Sequence, residues 1–193
     1  MKKKCLIFSL LIFIDCKGKP DNDQYPEFLF RSDKSLLGES YKFGKFSLIL
    51  PKNYFEVDSL RFNQLSELLK NKNNSFLKVE LLKAFSDNGN SAILISMVNE
   101  SNVFLKLDDT YKDYLYSNPS TRSIQRSSFK LNGINTIQYQ INEKEITSIK
   151  LYFDIEKRFF CLDYRVRNIL FDDKLEALES CLSSVNAISE LKK

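Results

Sequence analysis

Histidine and tryptophan are absent from the 193 residues, and glycine (5), proline (4), cysteine (4) and methionine (2) are sparse. Without histidine there is no Ser-His-Asp or Cys-His catalysis and no histidine metal site. The glycines, at positions 18, 38, 44, 89 and 133, are too scattered to form a phosphate-cradling loop. A strong charge of one sign is missing too. The 29 basic and 25 acidic residues leave a net +4, far from the basic excess that marks a nucleic-acid partner. No histidine or cysteine cluster has metal-ligand spacing, so neither a metal nor another cofactor is expected.

The N-terminus carries the clearest signal. Lys2, Lys3 and Lys4 precede an apolar run, Cys5 to Ile14 (CLIFSLLIFI), of ten residues. A membrane-spanning helix takes about 20, so the run fits a signal-peptide core instead. Asp15 and Cys16 follow at once, then a polar stretch from Lys17 to Asp23. A cysteine at that border offers a thiol to receive diacylglycerol. The segment Leu11-Ile12-Phe13-Ile14-Asp15-Cys16 resembles the relaxed lipobox of spirochaetal lipoproteins, with Asp15 where a small residue is usual. The resemblance implies a signal peptide over 1–15 and lipid (diacylglycerol and palmitate) on Cys16. It also implies a lipid-anchored protein of the cell envelope, at the outer membrane. Once three lysines and Asp15 leave with the signal, 26 basic and 24 acidic residues remain, a net +2. Cys5 leaves as well, so Cys161 and Cys181 are the cysteines of the exported domain. That compartment permits disulfides, and the pair reads either as a bridge or as two buried thiols.

Residues 16–40, with Pro20, Asp21, Asn22, Asp23 and Pro26, read as the lipidated N-terminus and a flexible tether. The 43% apolar content suits a globular domain, here placed at 41–190. Lys45 to Leu50 alternates as a strand, stopped by Pro51. Ser59 reads as the N-cap of a helix with Leu60, Leu65, Leu68 and Leu69 on its inner face, ended by KNKNNS at 70–75. Strands over 76–86 and 92–98 flank an Asp87-Asn88-Gly89-Asn90 turn. A second helix spans 107–116, opened by Asp108 and Asp109, with Leu107, Tyr111 and Tyr114/Leu115 facing in. Strands over 127–131, 134–141, 146–155 and 158–167 follow. A last helix spans 172–188 with Leu175, Leu178, Cys181/Leu182 and Val185 as its apolar stripe. Short connections imply antiparallel pairing. The expected build is α+β: a single twisted antiparallel sheet of six to seven strands covered by three helices.

The order of these elements carries a second resemblance. Phe46-Ser47-Leu48-Ile49-Leu50-Pro51-Lys52-Asn53-Tyr54 is similar to the opening strand of PsbP-like domains, with Tyr54 where tryptophan is usual. Phe129 to Thr136 (FKLNGINT) resembles their central strand–glycine–strand turn. Phe160 to Arg167 followed by Asp172 to Ser184 resembles their final strand and closing helix. Together they cover about 41–188. The resemblance implies a fold and not an activity, because that family includes proteins of very different roles.

The carboxylate pairs Asp108-Asp109 and Asp172-Asp173 sit where helices start, and capping accounts for them. Glu143 and Glu145 flank a hairpin turn. Tyr111 and Tyr114 read as core, or as one wall of an aromatic groove between the second helix and the sheet. Arg122, Arg126 and Lys130 alternate along a strand and read as a solvated face, or as a surface for an acidic partner or lipid headgroups. Export, tethering and missing catalytic residues lead to the expectation of a non-enzymatic lipoprotein that binds an envelope or host protein. A small-ligand or lipid-binding module is the alternative. Cys16→Ala is expected to abolish palmitate incorporation and move the protein from the membrane to the soluble fraction. Label retained on the variant would place the lipid on another residue.

Overall fold

Alternation of apolar and polar residues, punctuated by turn residues, accounts for the long hairpins. The computed structural model describes residues 25–72, 77–100 and 102–188. Its strands are β1 (Leu37–Phe43), β2 (Phe46–Pro51), β3 (Phe55–Glu56), β4 (Val79–Ser86), β5 (Ser91–Val98), β6 (Thr121–Leu131), β7 (Ile134–Glu143), β8 (Ile146–Ile155), β9 (Arg158–Arg167) and β10 (Asn186–Ala187). Its helices are α1 (Ser59–Lys72), α2 (Val103–Ser117) and α3 (Phe171–Ser183). The architecture is α+β, and the strands pair antiparallel.

The described residues form two sheets, not the single sheet expected. Seven strands run in the order β3-β4-β5-β9-β8-β7-β6, and β1-β2-β10 form a second, smaller sheet. The alternation of Phe46, Leu48 and Leu50 is satisfied equally by a strand inside one sheet and by a strand laid face down on another. Here the second arrangement wins. Phe46 is fully buried, with its ring 5.1 Å from Phe43, 5.1 Å from Phe153 and 4.9 Å from Phe160. It thus joins the small sheet to β8 and β9 of the large one.

The large sheet is apolar on both faces. Leu151, Phe153, Phe160, Leu162 and Tyr164 point to the small sheet and α3, in the cluster that holds Leu178, Cys181 and Leu182. Ile137, Tyr139, Tyr152 and Cys161 point to the other face, where α2 adds Val103, Leu107 and Tyr111. On that face α1 covers Leu81, Ala84 and Leu94 with Phe62, Leu65 and Leu69. Leu60 and Leu68, expected in the inner stripe of α1, are 71% and 56% exposed. The packed set falls at positions 62, 65 and 69, one helical face, and Leu60 and Leu68 lie off it.

Several boundaries move for identifiable reasons. The carboxylate of Asp58, not Ser59, accepts from the Arg61 N–H at the start of α1. α2 begins at Val103, so Asp108 lies mid-helix and does not cap it. α3 stops at Ser183 instead of continuing to Ile188. Asn132 in the β6–β7 turn donates to the Ser183 and Val185 carbonyls (3.0 and 2.6 Å), and Ser184 Oγ accepts from the Ile49 N–H at 2.8 Å. These contacts hold the helix end and release Asn186–Ala187 to pair with β2. The tether expected over 16–40 does not hold from Tyr25 onward, where the chain is docked, and residues 16–24 lie outside the described residues. The Phe28 N–H donates to Lys130, the Lys130 N–H donates to Pro26, and Phe28 and Phe30 pack on Phe129. Aromatic anchors at that spacing make residues 26–30 part of the domain. Strand β1 crosses the expected boundary at 41 and was concealed by its mostly exposed residues.

Two hairpin turns share a backbone conformation but not a sequence. Asn132 (φ 49°) and Gly133 (φ 78°) make a two-residue turn with both residues left-handed, which matches the strand twist. Glu156 (φ 52°) and Lys157 (φ 63°) do the same between β8 and β9 without a glycine or asparagine. Their Cβ atoms oppose that conformation, and the ten-residue β8–β9 register imposes it. Lys157→Gly is therefore expected to stabilise the domain by about 0.5–1 kcal/mol, the relief of strain exceeding the added chain entropy. Urea unfolding checks this, and a lower midpoint would show that Lys157 is not strained.

Candidate functional site

The tyrosines singled out in the sequence do not line a groove. Tyr111 stacks on Tyr139 (ring centroids 3.9 Å, interplanar angle 22°), and its hydroxyl lies 2.8 Å from that of Tyr152. All three are buried, and burial pushes the Tyr111 and Tyr152 phenols well above their ordinary value. Tyr114 donates to Glu143 Oε1 at 2.7 Å, and burial with that carboxylate raises its phenol to about 12. Arg126 pairs with Asp108 at 2.7 Å, and Tyr139 donates to the same carboxylate. Arg122 is exposed near an irregularity in the β6–β7 register, and Lys130 lies at the far end of β6 beside the docked segment 26–28. The five residues are thus a core tyrosine, two side chains bound to acids and two separated cations, not one surface. Cys16 lies outside the described residues.

The cysteines resolve as buried free thiols. Cys161 faces α2 while Cys181 on α3 belongs to the core on the opposite face of the sheet. The sheet itself separates them, so the bridge is ruled out by geometry. Burial pushes both thiols up to about 12, which leaves neither as a thiolate nucleophile at neutral pH.

Beside Cys161 lies a charge cluster that the sequence did not reveal as such. Asp163 Oδ2 accepts from Lys150 Nζ at 2.8 Å, Arg165 Nη2 at 2.6 Å and Arg165 Nε at 3.0 Å. Its Oδ1 is buried without a hydrogen bond among the described residues. Burial works against the Asp163 carboxylate, but Arg165 and Lys150 outweigh it and hold the group well below the usual carboxylate range. The signal was available as period-2 spacing of Cys161, Asp163 and Arg165, but Lys150 on β8 joins them only through strand pairing, directly opposite Asp163.

A cleft of about 420 Å³ opens on the other face, between α3 and strands β6 to β8. Phe171, Leu175, Leu178 and Leu182 of α3 form one wall, Phe28, Phe30 and Phe129 close one end, and Ile149 lies in the floor. Gln125, Ser127, Gln138 and Gln140 extend that floor, with Gln125 opposite Gln140 and Ser127 opposite Gln138 across the β6–β7 pair, and Arg126 and Ser128 of β6 also line the cleft. Gln140 donates to Asn142 at 3.2 Å, while no hydrogen bond engages the Gln125 or Gln138 side chain among the described residues. Glu179 stands on the rim, its carboxyl raised by partial burial.

No protein-family model matches the chain, and no curated protein matches it. Solved structures do. The solution structure of cyanobacterial PsbP (CyanoP) from Synechocystis sp. PCC 6803 aligns over 89% of this chain and 99% of its own at 12% identity, with a TM-score of 0.48. A crystal structure from Bacteroides thetaiotaomicron VPI-5482 aligns over 81% of this chain and 50% of its own (14% identity, TM-score 0.45). PA94 from Pseudomonas aeruginosa, a protein of unknown function and putative regulator by its description, aligns over 79% and 98% (9% identity, TM-score 0.44).

The cleft and the charge cluster differ in what they can do. Asp163 Oδ2 is taken up by Lys150 and Arg165, and its Oδ1 is buried away from solvent, so the cluster contributes to the stability of the fold. Asp163→Ala is expected to destabilise the domain by about 3–5 kcal/mol, because Lys150 and Arg165 would be left uncompensated. Asp163 is held below its unfolded value of about 3.9. Its contribution is therefore present in full above that value and is lost as pH falls toward the folded value. Urea midpoints measured at neutral pH and between about pH 4 and pH 2 check both statements, since the wild-type excess over the variant should shrink only in the acid range. An excess unchanged down to pH 2 would remove Asp163 from the acid response.

Proposed function

We propose that this protein is a non-enzymatic, lipid-anchored envelope lipoprotein whose PsbP-like domain binds a small amphipathic ligand in the cleft between α3 and β6–β8. The cleft is the observation that carries the reading. Small-molecule sites are concave, mostly apolar and supplied with a few polar groups that orient the ligand. Here an apolar body would lie against Phe171, Leu175 and Leu178, and Gln125 and Gln138 would hydrogen-bond its polar end. The anchor on Cys16 would hold that cleft at a membrane surface, where amphiphiles are concentrated.

The PsbP-like assignment draws on the order of the strand, turn and helix motifs between Phe46 and Ser184. Binding of an envelope or host protein is the other reading of a tethered domain. It has less to draw on, because the exposed apolar side chains form no contiguous patch: Leu60 is on α1, Ile169 lies between β9 and α3, and Leu105 and Tyr116 are about 16 Å apart along α2, and scattered ones are ordinary.

Leu175→Trp should fill the cleft from a half-exposed position without disturbing the core. Native mass spectrometry of the protein purified from its own membranes is expected to show a small-molecule adduct on the wild type and none on the variant. Apo protein in both, or an adduct that survives Leu175→Trp, would overturn the ligand-binding reading.

A further inference from the structure

Three arginines converge at the end of the domain remote from the cleft's aromatic end. Arg61 in the first turn of α1, and Arg165 and Arg167 on β9, line a depression of about 170 Å³. Ser86 and Asn90 of the β4–β5 hairpin line it as well, and no acidic residue does. Arg165 gives Nε and Nη2 to Asp163. The guanidinium groups of Arg61 and Arg167 have no hydrogen bond or carboxylate partner among the described residues. The nearby acids are fewer than the cations: Asp163 is shared between Arg165 and Lys150, Asp87 pairs with Lys174, and Asp58 accepts from the Arg61 backbone N–H, so the surroundings keep a positive excess.

Local structure gives no reason for this grouping. A cation in the first turn of a helix opposes the helix dipole, where an anion would be favoured. Like charges around one depression repel each other, and a bound anion removes both penalties at once. Guanidinium groups suit this: Arg61 and Arg167 can each present two parallel N–H donors to an oxyanion, and Arg165 adds the N–H groups that Asp163 does not use. The depression exceeds the needs of a bare tetrahedral oxyanion and leaves room for a substituent.

We propose that Arg61, Arg165 and Arg167 form an anion site for a phosphate group, carried either by a phospholipid headgroup or by a soluble phosphate ester. The site is on the face of the sheet that carries α1 and α2, so it stands or falls separately from the cleft.

The full-length chain in a nonionic detergent provides the test, by equilibrium dialysis against radiolabelled inorganic phosphate. Saturable binding is expected, weakened at least about tenfold by Arg61→Gln with Arg167→Gln, with the far-UV spectrum and melting midpoint unchanged. Arg61→Gln alone, at an exposed helix position, should weaken binding in the same direction and guards against misfolding of the double variant. Competition then assigns the source. Displacement at lower concentration by lysophosphatidylglycerol than by glycerol 3-phosphate supports the site as a headgroup site, and the reverse order supports it as a site for soluble esters. Binding that does not saturate, or that is equal in wild type and both variants, would overturn the proposal.

Discussion

A sheet with apolar side chains on both faces has to be covered on both. The β5-β9-β8-β7 strands direct Ile93, Leu162, Leu151 and Phe153 to one side and Val98, Cys161, Tyr152 and Ile137 to the other. Each of these side chains is worth about 1.5–3 kcal/mol when removed from water, so an uncovered face would forfeit most of the stability of a domain this size. Two helices are sufficient for one face. The other takes α3 and a whole second sheet, with Phe46 as the ring on which the two sheets meet.

The cleft follows from where that cover ends. The small sheet and α3 bury Phe129, Leu131 and Ile134 at the turn end of β6 and β7 but leave the stretch around Gln125, Ser127, Gln138 and Gln140 open. Beyond that edge the floor changes from Leu151 and Phe153 to Gln125, Ser127, Gln138 and Gln140. Amides are stable there, Gln125 exposed and Gln138 and Gln140 half-buried, because water or a ligand can satisfy them. The docked segment 26–30 then closes the cleft with aromatic rings. The covering of the core therefore generates a concave surface that is apolar on its wall and polar on its floor.

On the helical face the same strands carry charge. Lys150, Asp163 and Arg165 interrupt a surface otherwise made of Tyr139, Tyr152 and Cys161. Removing ions from water is costly, and only mutual pairing makes the cluster tolerable. Arg165 links the buried aspartate to the surface where Arg61 and Arg167 lie. One strand, β9, thus supplies core to both faces, Asp163 and Arg165 of the ionic cluster, and two of the three arginines at the domain's end.

Much of this was legible in the residues. Alternation placed β7, β8 and β9 to within a residue or two, and Asn132-Gly133 announced its turn, because side-chain period and turn chemistry are local properties. The stop of α3 at Ser183 was not legible, because Asn132 and Ile49, which hold it, come from other elements. Nor was the turn at Glu156-Lys157, where strand pairing overrides local preference. Tyr111 and Tyr114 drew attention as a surface because composition cannot distinguish a ring packed in the core from one at a groove.

By itself the sequence determined the chemistry that is missing, the α+β class, and the number of helices, all of which depend on residue type and short-range spacing. Only the tertiary structure decided that there are two sheets, that Cys161 and Cys181 lie on opposite faces, and that the cleft belongs to α3 and not α2. Each of those depends on which face of a strand meets which neighbour. That choice is made by burial between segments far apart in the chain, and alternation reads the same whichever way it is made.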